Sequence, residues 1–132
     1  MSKLNFLKRD DRGVTAIEFS IAIPVLVILM LGILQFGMVL SANGAMRNAL
    51  GEGLRLAKIN PAATQDEVLK RTRYSLIGVD PAAISALSFE RGEADHVQYG
   101  KISLTIKLNP IIPFVPLPPI TLSQSKRVFL PS

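Results

Sequence analysis

The sequence predicts an α+β protein: a long N-terminal transmembrane helix that continues into a small extracytoplasmic domain with a second helix and an antiparallel sheet of about three strands. Two observations carry this. From Phe19 to Leu40 the chain is almost entirely apolar, and no charge interrupts it between Glu18 and Arg47. A helix of about 22 residues rises about 33 Å, enough to cross a hydrocarbon core of about 30 Å. Past Asp80-Pro81 the hydrophobic period shortens to two, most cleanly in Gly100 to Leu108, where Ile102, Leu104, Ile106 and Leu108 alternate with Lys101, Ser103, Thr105 and Lys107.

Met1 to Gly13 is short, polar and basic, with Lys3, Lys8, Arg9 and Arg12, and reads as a leader or cytoplasmic stub. Positive residues beside a first span stay in the cytoplasm, which places the bulk of the chain outside; Arg47, Arg55 and Lys58 after the span weaken that asymmetry. The domain boundaries expected are 1–13 for the leader, 14–45 for the span and 46–132 for the outer domain. Within the span, Pro24 removes the N–H that would bond the Ser20 carbonyl, so it marks either a bend or a tolerated membrane proline. Gly32 and Gly37 are five apart and do not form the small-xxx-small packing pattern. Gln35, the amide deep in the span, either bonds a partner helix or faces thin lipid.

After Leu40, Met46, Leu50, Leu54 and Ala57 recur at helical spacing with charges around them, so the span emerges as one long helix. Gly44, Gly51 and Gly53 weaken such a helix and are read as places where a sheet approaches closely. Asn60-Pro61 ends it. Thr64 to Glu67 reads as a capping box opening a second helix, with Val68, Leu69, Thr72 and Leu76 facing inward and Gly78 at its end. Leu87 and Phe89 suggest a short strand, Arg91 to Asp95 the turn after it, and Ile120 to Leu130 a third strand in which Gln124 and Lys126 mark a bulge or an edge. Between the last two strands, Asn109 to Pro119 holds five prolines in eleven residues and forms neither helix nor central strand. Its apolar residues, Phe114, Val115 and Leu117 among them, form either a contact loop or a cover for the sheet.

The junction RGVTAIEF, Arg12 to Phe19, resembles the processing site of type IV prepilins: a basic leader, a glycine, then a hydrophobic helix with glutamate at its fifth residue. Together with Pro24, GILQFGMVL and GEGLRLAKI at Gly51 to Ile59, it looks most like TadE-family pseudopilins, minor pilin-like proteins of tight-adherence pilus systems. The resemblance spans Arg12 to Ile59. It implies cleavage by a prepilin peptidase between Gly13 and Val14, with Glu18 then at the fifth mature position and paired with the free amine of a staggered neighbour. Phe19 belongs to the same subunit contact. The partners it implies are that peptidase, other pilin or pseudopilin subunits, the assembly platform and membrane lipid. The expected role is priming or tip assembly from the bacterial inner membrane, the chain either staying in the membrane or entering an extracellular pilus. A major pilin fits less well, because such subunits are shorter and mostly helical.

Physical chemistry supports this reading of the junction. Glycine lets backbone enter a protease cleft without steric cost. A carboxylate carried to mid-bilayer costs about 2.5–3.5 kcal/mol and calls for a partner, although near a helix start the macrodipole favours it by about 0.3–1 kcal/mol. Two other readings stand beside it. One is an uncleaved single-span anchor or scaffold with a periplasmic interaction domain. The other is a secreted protein cut near Ser41 to Ala45, which would need an unusually long apolar region.

At 132 residues the chain has room for one small outer domain. The net charge is +5, falling to +3 if a leader with four basic and two acidic residues is removed. No basic cluster alternates with aromatics, so no nucleic-acid partner is expected. With no cysteine and one histidine, His96, the chain offers no metal set, and its enzyme chemistry is expected to be absent, without cofactor or small-molecule substrate. Glu90, Glu93 and Asp95 share a charged turn with Arg91 and lack the apolar surroundings that would tune a carboxylate for catalysis.

Overall fold

The computed structural model describes residues 11–131, with side chains from residue 13 onward; Met1–Asp10, most of the expected leader, lie outside the described residues. Helix α1 runs Asp11–Ile59, α2 runs Gln65–Tyr74, a 3-10 turn covers Pro81–Ala83, and strands β1 (Ile84–Ala94), β2 (Val97–Leu108) and β3 (Ile120–Phe129) complete the chain. The sheet is antiparallel in the order β1-β2-β3. The long first helix, second helix and three-stranded sheet expected from the sequence are all present.

Helix α1 holds 49 residues, a rod of about 74 Å. Its packed side is a stripe at helical spacing: Gln35, Ala42, Met46, Ala49, Leu50, Leu54 and Ala57 are buried. The inward face of β2 meets that stripe, with Ile102, Leu104 and Ile106 fully enclosed. Strict period-two burial in β2 and 3.6-residue burial in α1 give one core between helix and sheet. The expected boundary at residue 45 falls within this continuous helix, and the packed stripe starts upstream of it.

The capping box forms as expected. Thr64 Oγ1 accepts from the Glu67 N–H at 3.3 Å, and Glu67 Oε2 accepts from the Thr64 N–H at 2.7 Å. Val68 and Thr72 turn inward. Helix α2 stops at Tyr74, earlier than Gly78: the Ser75 N–H makes the last i→i−4 bond, to the Arg71 carbonyl, and the Leu76 N–H turns to the Arg73 carbonyl three residues back; Gly78, at φ 80°, carries the following reversal.

One sequence expectation for the sheet needs correction, and one pair of alternatives is settled. The first strand is eleven residues long and absorbs Arg91 to Ala94, which the sequence suggested as turn. The reversal is only Asp95-His96, at φ 51° and 62°, a two-residue loop whose left-handed residues match the twist of the flanking strands. Gly92 makes room within the strand, since a Cβ there would lie 2.5 Å from the Tyr99 ring. In β3, of the two alternatives for Gln124 and Lys126, the edge holds and the bulge does not: pairing is continuous from Tyr99↔Phe129 to Leu108↔Ile120. They sit on an edge strand that faces α1, where Gln124 Nε2 donates to Asn43 Oδ1. The irregularity in register lies instead between Ile84 and Ala86.

Of the three glycines expected to admit the sheet, Gly53 does so. A Cβ there would collide with Thr72 Oγ1 and lie 2.8 Å from Ile102 Cδ1. Gly44 faces open space, and Gly51 meets only the end of the Lys126 side chain.

Candidate functional site

The first turns of α1 carry the residues singled out at the junction. Gly13 and Val14 lie inside the helix rather than in an extended segment, as helical backbone begins at Asp11. A Cβ on Gly13 would meet nothing within 4 Å, so the fold itself places no demand for glycine there.

Glu18 lies one turn beyond Val14, an axial rise of about 6 Å. It has no hydrogen-bond or ion-pair partner among the described residues. Together with Ala22, Val25 and Leu29 it borders a shallow open groove along one face of α1. Val14 and Phe19 are exposed, as are the large apolar side chains from Ile21 to Met30. Pro24 lies within continuous helix; the Ser20 hydroxyl donates to the Ile17 carbonyl at 2.7 Å and so does not satisfy the carbonyl that the proline leaves free. The helix is long and apolar enough to cross a membrane, and none of its most apolar stretch is buried within the protein.

The outer domain holds a second group. Glu52 on α1 bonds Arg55 at 3.1 Å and reaches across to Arg71 on α2 at 3.2 Å. The hydrogen bond from Arg55, then that from Arg71, holds the Glu52 carboxyl below its ordinary value. Arg91 reaches back from β1, its guanidinium donating to the carbonyls of Pro61 at 2.9 Å and Ala63 at 2.7 Å. On the sheet face turned away from α1, the Arg127 guanidinium stacks over Tyr99 and Phe129, which are cross-strand partners. His96 projects into solvent at the hairpin, 3.9 Å from Glu93. These groups hold elements together and present surface; among the described residues no cluster of acids, histidines or cysteines is placed to hold a metal ion.

The junction, the span and the start of the packed stripe match one family. Residues 13–55 match the TadE-like protein family. The TadE-like segment therefore opens at Gly13, contains Val14, Glu18, Phe19 and Pro24, and ends among the residues that pack on the sheet. No curated protein and no solved structure matches the chain. The match covers about a third of the chain, and the exposed apolar helix within it suggests a membrane anchor.

The sequence reading missed what Gln35 does. Its side chain is 8 % exposed, and its Oε1 accepts from the Ile111 N–H at 2.8 Å, so the amide serves the proline-rich loop of its own chain. The signal was a lone amide in the span; its partner is a backbone N–H in an apolar loop 76 residues later, a pairing that spacing does not reveal.

Proposed function

We propose that this chain is a minor pilin or pseudopilin of a tight-adherence pilus system. It is made with a basic leader, cut between Gly13 and Val14 by a prepilin peptidase, and held in the inner membrane by α1 with its sheet domain in the periplasm. It then joins other subunits in priming or tip assembly. The observation that carries the reading is Glu18: a carboxylate without a partner among the described residues, five positions after Gly13, at the head of an exposed apolar helix within the TadE-like match. Exposed to lipid, it calls for a counter-charge. Cleavage would create one at Val14, and a neighbour displaced along the helix axis would bring that amine to Glu18.

The test uses tagged and untagged copies of the full chain expressed together with the pilus components. Wild-type copies are expected to co-purify, and Glu18→Ala copies are expected to enter the membrane fraction equally but to lose co-purification at least about tenfold, the loss of roughly 1.4 kcal/mol of pairing. Undiminished co-purification of Glu18→Ala would remove the pairing from the account. A second reading, the uncleaved single-span scaffold, draws on the unbroken helix across Gly13, which would have to unwind locally to enter a protease cleft.

A further inference from the structure

The proline-rich loop between β2 and β3 lies at the depth of the membrane-spanning stretch. Gln35 is 17 residues beyond Glu18, an axial distance of about 26 Å, within a hydrocarbon core of about 30 Å that starts at Phe19. The Ile111 N–H is bonded to Gln35, which fixes the loop to that level of the helix. Two charge-free stretches thereby lie side by side: Phe19 to Met46 on α1, and Leu108 to Ser125 in the loop and its flanking strand. Lys107, exposed near the end of β2, is the last charge before the loop.

The side chains at the tip match that setting. Phe114 is fully exposed at 101 %, and Val115, Leu117 and Ile111 are exposed beside it. Phe114 is also held at φ 65°, an uncommon conformation for a bulky residue. The backbone chemistry points the same way. Irregular backbone is costly near hydrocarbon because its N–H groups lose water. Five of the eleven residues in Asn109–Pro119 are prolines and have no N–H, which leaves six donors; two of these are bonded, Ile111 to Gln35 and Leu117 to the Val115 carbonyl at 2.9 Å.

We infer that the Asn109–Pro119 loop is a second membrane contact, inserting Phe114, Val115 and Leu117 among the acyl chains of the leaflet on the domain's side, next to α1. The occupant of this apolar surface is lipid. The contact would fix the height and rotation of the sheet domain on the bilayer, which a single helix alone leaves free.

The inference rests on the membrane-anchor reading of α1, so the experiment separates the two. The chain has no tryptophan, and single substitutions therefore report one site each. Full-length Phe114→Trp, Val115→Trp, Leu26→Trp and Tyr74→Trp are reconstituted in phosphatidylcholine–phosphatidylglycerol vesicles whose acyl chains carry bromine at defined depths. Phe114→Trp and Val115→Trp are expected to emit at shorter wavelength than Tyr74→Trp, which is exposed on α2, and to be quenched most by shallow bromines. Leu26→Trp is expected to be quenched by deep bromines. Unquenched loop variants with a quenched Leu26→Trp would overturn the loop contact and leave the anchor standing. A blue shift in the loop without lipid quenching would overturn it in favour of a protein partner. Loss of quenching at all sites, Leu26→Trp included, would overturn the anchor and the loop contact together.

Discussion

Gly53 is where α1, α2 and β2 approach most closely, with Thr72 on one side and Ile102 on the other. A methyl group there has no space, and Thr72 is itself held by its hydroxyl's bond to the Val68 carbonyl at 2.9 Å. Gly53→Ala is therefore expected to destabilise the outer domain by about 1–3 kcal/mol, the usual cost of overpacking a close contact. Gly44→Ala, facing open space, is expected to be neutral or stabilising by up to about 1 kcal/mol through helix propensity. Thermal denaturation in detergent compares the two; equal losses would contradict the packing. Glycines in a helical pattern were legible as places of close approach. Which of three played that role was not, because it depends on the helix's rotation against the sheet.

A second residue-scale consequence concerns Glu52. Its folded-state carboxyl titrates below its ordinary value of 4.5, mainly through the hydrogen bond from Arg55 and then that from Arg71. The ion pairs therefore contribute their full stability above that ordinary value, and the contribution is lost as pH falls through the lower, folded-state value. Glu52→Gln is expected to lower Tm at pH 7, with the gap to wild type closing below pH 4.5. A gap independent of pH would mean that packing, rather than charge, is what the substitution removes.

At the scale of elements, the period of the sequence was a good guide wherever one face is buried. The alternation in Gly100 to Leu108 became β2, and Thr64 to Glu67 became the capped start of α2. Turn chemistry was less legible. Arg91 and Glu93 looked like loop because they are charged, yet they occupy β1, where one face is open to water and cross-strand pairs such as Glu93↔Gln98 accept charge. The actual turn depends on two non-glycine residues taking left-handed backbone, which Asp tolerates better than most. Gln124 and Lys126 read as a bulge or an edge in β3, and the edge is what forms. Gln124 is satisfied by Asn43 on α1, a partner that is invisible until helix and sheet are placed together, while Lys126 is exposed and its side chain ends beside Gly51.

Across the whole molecule, α1 divides into two halves of opposite character. Its N-terminal part is apolar and bare, while from Gln35 onward one stripe is covered by the loop and the sheet domain. An apolar helix surface that a chain leaves uncovered needs another environment, and a bilayer or neighbouring helices provide it. The junction Gly13–Val14, Glu18 without a partner among the described residues, and the TadE-like match over residues 13–55 sit at the bare end, while the structured domain sits at the other. The motif at the bare end was readable from residue order alone, since glycine, glutamate and phenylalanine stand at fixed spacings before an apolar run. The folding back of the proline loop onto the span was not, as it joins residues far apart in sequence.

The central claim is that this chain is processed as a prepilin before α1 takes up its place among other subunits. The most direct test is the mass and N-terminal peptide of the protein purified from its native membrane, with Gly13→Leu as the blocked comparison. The account predicts a chain beginning at Val14 in the wild type and an uncut chain in the variant. A wild-type chain beginning at Met1 in cells that contain the peptidase would contradict it.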